Sequence, residues 1–90
     1  MSRTIVTLVG KDHVGIIATV CNFFAENNIN ILDIKQTTVQ DYINMILIVD
    51  TTKYTGDFES LNAGLDEVGK KVGCIVKATH EEIFEMMHRI

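Results

Sequence analysis

The 90-residue chain has no proline, no tryptophan and only two cysteines. Without proline no stretch reads as a stiff linker, and this length makes one domain spanning residues 1–90. Cys21 and Cys74 lie far apart, each at an apolar position of its own segment. Both read as reduced core residues, although sequence alone leaves a bridge between them open. There is no cluster of Lys and Arg, and the net charge is -4, which argues against nucleic acid as a partner. No apolar run approaches transmembrane length, and the first residues lack a secretory h-region. The expectation is a cytoplasmic protein that does not bind membranes. His80 and His88 stand near Glu81 and Glu82, but not at the close fixed spacing of a zinc motif, so no metal site is expected. No Ser-His-Asp or Cys-His order can be argued, so neither catalysis nor a cofactor is expected.

What the chain does have is apolar content, 47%, enough for a globular domain with a modest core. Pairing with a second copy would help a core of that size. The sequence is organised around Gly10-Lys11-Asp12-His13-Val14-Gly15-Ile16-Ile17. A β-rich run, Arg3 to Val9, precedes it, and the clearest helical pattern follows it. A tight strand-to-helix turn here aims the first helical N–H groups outward, with the positive end of the helix dipole behind them. Such a place suits a carboxylate or a phosphate.

Residues 3–9 are apolar on both alternating sets, Ile5 and Val9 against Val6 and Leu8, as in a central strand. Asp12 reads as an N-cap of a helix running to about Asn27. Val14, Ile17, Ala18, Cys21, Phe24 and Ala25 form one stripe, expected to pack on the sheet. Ile16, Val20 and Phe23 form a second stripe nearly opposite, which is a partly exposed apolar fringe, a face covered by another part of the same chain, or a contact with another chain. Residues 29–40 form a polar second strand with a parity switch near Leu32, as at a bulge on an edge. Tyr42 to Thr51 alternates and is again apolar on both sides. Asp57 opens a second helix with the narrow stripe Phe58, Leu61, Leu65, Val68 and Val72, closed by Gly73. Cys74 to Thr79 reads as a short edge strand. Residues 81–90 suit a short amphipathic helix, with acids first and bases last.

The order β-α-β-β-α-β, with strands one and three central, gives an α+β, ferredoxin-like domain. Its core covers residues 3–80, with a four-stranded antiparallel sheet and two helices on one face. The other face, expected to carry residues such as Val9, Ile31 and Ile46 or their parity partners, needs a cover, and a second copy is the simplest one. This fold hosts unrelated functions, so the site must decide between them. A metal-chaperone reading fails for lack of cysteine in the first loop. An RNA-binding reading fails because strands one and three offer only Tyr42 as an aromatic. A phosphatase-like reading lacks an arginine in the first loop.

Gly10-Lys11-Asp12-His13-Val14-Gly15-Ile16, followed by a helix and then Asn28-Ile29-Asn30-Ile31, resembles the ACT domain, the small regulatory module of amino-acid metabolism. The resemblance covers residues 3 to about 80 and is greatest to small stand-alone members with no attached enzyme. In amino-acid-binding members, such as the regulatory domain of phosphoglycerate dehydrogenase, ligand lies between two domains. The first turn of one and strand-two residues of its neighbour hold it. The resemblance therefore implies a site of Asp12, His13, Val14, Gly15 and Ile16 with Asn30 and Ile31. Val14 stands where many members carry proline, and Asp12 where serine-binding members carry asparagine. A fixed negative charge suits an ammonium group better than a carboxylate.

Each of these residues also has a structural role available. Gly15 admits a ligand or neighbouring backbone because it lacks a Cβ, or it packs against the fold. Asp12 can receive an amine or cap the helix, and its two oxygens allow both. Asn30 can supply an amide or serve as a strand-start turn residue. His13 is a pH-sensitive ligand contact or a solvated loop residue. Two functions follow: a regulatory module that binds an amino acid-like ligand at a homodimer interface, with a possible protein target, or a ligand-free assembly module. The candidate interface is Ile16, Val20 and Phe23.

Overall fold

The computed structural model describes residues 3–81. Strand β1 spans Arg3–Lys11, helix α1 Ile16–Glu26, β2 Asn30–Val39, β3 Tyr42–Asp50, α2 Phe58–Val72 and β4 Cys74–His80. The four strands form one sheet in the order β2-β3-β1-β4, and every neighbouring pair is antiparallel. The expected ferredoxin-like architecture is therefore present, with β1 and β3 central. The terminal helix expected over residues 81–90 lies, from residue 82 onward, outside the described residues.

Side-chain alternation places the core on the helix side of the sheet. Val6 and Leu8 of β1 meet Met45, Leu47 and Val49 of β3, and all are fully buried. The odd-numbered residues of β1 and the even-numbered residues of β3 face the other way, so Val9 and Ile46 lie on the outer face as expected. Ile31 does not. It pairs with Val49 and packs against the core, because the register of β2 shifts between Ile31 and Asp33. The parity switch near Leu32 is that bulge.

α2 follows its sequence closely. Asp57 Oδ1 accepts the Ser60 N–H at 2.8 Å, and Leu61, Leu65, Val68 and Val72 point into the core. Glu59 lies in the first turn and Lys70 and Lys71 in the last, each matching the helix dipole. Gly73 ends the helix at φ 68°. Gly69 lets α2 lie close on β4, since a Cβ there would sit 2.5 Å from the Cys74 carbonyl oxygen.

α1 departs from expectation in two ways. It begins at Ile16, four residues after Asp12, and its cap is Gly15 rather than Asp12. Phe24 packs on the sheet as expected, but the rest of the two apolar stripes are exchanged. Ile16, Val20 and Phe24 are fully buried and Phe23 packs beside them, whereas Val14, Ile17, Ala18 and Ala25 are exposed and Cys21 is half-buried. Ile16, Val20 and Phe23 are thus core residues and not a free interface. The turn at Gly15 starts the helix at Ile16, and that phase turns Ile16, Val20 and Phe24, at four-residue spacing, toward the sheet and Ile17 away from it.

Candidate functional site

The turn between β1 and α1 is held from both sides. β1 continues two residues past Val9, to Lys11, where it pairs with Tyr42. The Asp12 N–H then donates to the Asp41 carbonyl at 2.7 Å, tying the turn to the β2–β3 hairpin. On the other side His13 Nε2 lies 2.5 Å from the Val72 carbonyl, the last residue of α2, and Nδ1 lies 3.0 Å from the Val14 carbonyl. Sequence reasoning could not see this tie, which joins residues 59 positions apart.

Between these anchors the chain reverses at Gly15, with φ 98° and ψ −7°. That left-handed conformation favours glycine. Nothing lies within 4 Å of the position a Cβ would take, so Gly15 is present for its backbone angles and not to admit a packed neighbour. No side chain caps α1, and its first turn holds no acid. Its leading N–H groups and dipole are therefore left to the exterior. Asp12, Val14 and Gly15 are exposed around it, Val14 almost completely, at 99%. The Ile16 side chain points into the core, so only its backbone belongs to the turn.

His13 faces two carbonyl oxygens, and only the imidazolium donates from both ring nitrogens. The bond to Val72, then that to Val14, raises its pKa above the usual histidine value, aided by the nearby Asp12 carboxylate. The folded value exceeds the unfolded one. The stabilisation is therefore complete below about pH 6.5 and is lost as pH rises through the raised folded value. His13→Gln should flatten this acid-side gain, read as the difference in melting temperature between wild type and variant from pH 5 to 8. A constant difference across that range would contradict the assignment.

Cys74 sits beside the same anchor, its Sγ 3.6 Å from the Val72 carbonyl, and burial pushes its thiol pKa up. A thiol held protonated is a poor nucleophile.

Asn30 is not near the turn. β2 pairs Asn30 with Asp50, and β1 pairs Arg3 with that same residue, so Asn30 stands at the opposite end of the sheet. The strand length separates the two by roughly 27 Å. At its own end Asn30 lines a cleft of ≈ 480 Å³ with Asn28, Asp50, Thr52 and Lys53. A smaller recess of ≈ 230 Å³ lies under the loop after β3, where His80 stacks on Phe58 with ring centroids 4.1 Å apart.

The sheet edges differ. On β4, Asn62 of α2 occupies the backbone of Ala78: its Oδ1 accepts the N–H at 2.8 Å and its Nδ2 donates to the carbonyl at 3.3 Å. On β2, the Asp33 carboxylate takes the Ile34 N–H beside the bulge at 2.8 Å, and Lys35 to Val39 are all exposed. The helices differ as well. The solvent side of α2 carries charges, with Lys70 Nζ 3.5 Å from Glu67 and 3.6 Å from Asp66. α1, beside β2, turns Ile17, Ala18 and Ala25 outward.

Fold and site together define the class: a small ferredoxin-like α+β domain with polar features at both ends of the sheet and one edge open. The chain belongs to the ACT domain family, whose profile matches residues 4–63. ACT domains are generally small-molecule-binding regulatory modules. Over its whole length the chain is 43% identical to a UPF0237 protein of Bifidobacterium longum, covering all of that protein too. It is similar in structure to an ACT domain protein from Streptococcus pneumoniae, with a TM-score of 0.81 and 33% identity, covering 93% of this chain and 94% of that one. A formyltetrahydrofolate deformylase from Pseudomonas syringae shares the fold over 88% of this chain and 28% of its own, with a TM-score of 0.79 and 20% identity. Among the described residues no helix is long and apolar enough to cross a membrane.

Proposed function

We propose that two copies of this chain pair through β2 and α1, and that an amino acid or similar metabolite binds between them and regulates the pairing or a further protein contact. One observation carries the reading. The turn and Asn30 lie at opposite ends of one sheet; in the proposed pairing, two antiparallel β2 edges bring one copy's turn to the other's Asn30. A two-fold axis at Lys35 pairs position 30 with position 40, which lays the second copy's Asn30 beside Gln40 and next to Asp41. Asp41 is the residue that holds Asp12. The β2 edge suits this better than β4, which Asn62 already occupies. The same axis covers the outward apolar side of α1, and a two-fold contact is self-complementary.

In this arrangement the uncapped start of α1 receives the ligand's carboxylate. Asp12 receives its ammonium group, and the second copy's Asn30 contacts the remainder. His13 holds the turn through Val72 and does not itself contact ligand. Thermal unfolding against a panel of amino acids tests the reading. A ligand at a hundred times its Kd adds about 2.7 kcal/mol. That raises the melting temperature of a domain this small by roughly 10 °C or more. No shift from any of them would overturn the proposal in favour of ligand-free assembly.

A further inference from the structure

The cleft around Asn30 bears on which ligand the site takes. Its volume, ≈ 480 Å³, lies within the range usual for small-molecule sites. Every described residue that lines it carries a polar or charged head group: Asn28, Asn30, Asp50, Thr52 and Lys53. The opening follows from the strands. Asn30 starts β2 beside Asp50, the end of β3, and the loop after β3 turns back over that pair. Asp50 Oδ1 accepts the Thr52 N–H at 2.9 Å and the Thr52 hydroxyl at 2.6 Å, fixing the loop that carries Lys53. Asp50 and Thr52 are thus positioning residues. Lys53 is the one cation among the described residues lining the cleft.

Resting on the paired arrangement proposed above, we infer that this cleft reads the ligand's side chain and that Lys53 is its specificity-determining contact, so that the domain takes a polar amino acid and rejects aliphatic and aromatic ones. The ligand's α-carboxylate and ammonium group are taken by the turn of one copy, and its side chain then enters the cleft of the other. An apolar side chain there would strip water from the two amides and the ammonium without replacing their hydrogen bonds, which is costly. Lys53 has three donors and no acceptor, so the group it selects is an oxygen: a carboxylate, an amide carbonyl or a hydroxyl. A site built on such bonds discriminates more sharply than an apolar pocket does.

The test is calorimetric titration of the full chain with each of the twenty common L-amino acids, repeated on Lys53→Met, with sedimentation to follow assembly. The expected result is that the tightest binder to wild type is polar, and is preferred over leucine, valine and phenylalanine by on the order of 100-fold. Lys53→Met should weaken that binder by about 10-fold or more while leaving assembly unchanged and making the weak apolar binding no weaker. An apolar tightest binder, or a polar binder unaffected by Lys53→Met, would overturn this inference and leave the paired site standing. Binding by none of the twenty would overturn the paired site itself, and this inference with it.

Discussion

Val20→Asp should leave the chain unfolded, whereas Ile17→Asp, one turn earlier on the same helix, should leave it folded. Val20 is 1% exposed and lies in the core with Ile16 and Phe24. An unpaired carboxylate there costs several kcal/mol in desolvation. Loss of the valine's own burial adds roughly 1.5–3 kcal/mol. Total stability for a domain is only about 5–15 kcal/mol, and small domains lie low in that range. Ile17 is 42% exposed on the outer side of α1, where a charge meets water and changes stability by about 0.5 kcal/mol or less. Far-UV circular dichroism with urea unfolding reads the first effect, and sedimentation velocity reads assembly. Under the proposed pairing Ile17→Asp is folded and monomeric. A folded Val20→Asp protein that had merely lost its partner would mean that the two faces of α1 are assigned the wrong way round.

Gly15→Val should abolish ligand stabilisation while costing the fold only about 1–2 kcal/mol, the penalty of a left-handed conformation for an L side chain. At φ 98°, with nothing within 4 Å of the added Cβ, that cost is conformational and not a clash. The turn relaxes by changing its angles, and this re-aims the leading N–H groups of α1. Gly15→Asn separates the two effects, because asparagine tolerates the left-handed region. It should recover most of the stability and part of the binding. The measurement is melting temperature with and without the strongest hit of the amino-acid panel, for all three proteins. Unchanged ligand stabilisation in Gly15→Val would place the site elsewhere.

The strand order, the bulge near Leu32 and the second helix were legible because each rests on local pattern. β3 alternates cleanly, and Asp57 and Gly73 stand where a cap and a stop belong. The first helix was harder to read because it is apolar on both sides, so periodicity alone left its phase open. The turn at Gly15 decides it, by starting the helix at Ile16, with Ile16, Val20, Phe23 and Phe24 inside and Ile17, Ala18, Cys21 and Ala25 outside or half-covered. Asp12 and Asp57 are the same residue type before an apolar run, but only Asp57 caps a helix. A glycine three residues after Asp12 breaks the backbone first. The tie from His13 to Val72 and the cleft that joins Asn30 to Lys53 are contacts across the fold, which no local pattern encodes. That Asn30 and the turn stand at opposite ends of the sheet follows from antiparallel order alone. It is why the proposed site takes two chains.

The most direct test of that requirement mixes two defective proteins. Asp12→Ala should remove the turn's half of the site and Asn30→Ala the strand's half, so neither protein alone should bind the strongest hit of the amino-acid panel. Co-refolded, a mixed pair holds one site with both lesions and one with neither. Binding capacity should then return to roughly a quarter of the sites, with wild-type affinity, because half of the random pairs are mixed. No recovery on mixing, with both variants folded and paired, would contradict a site shared between two chains.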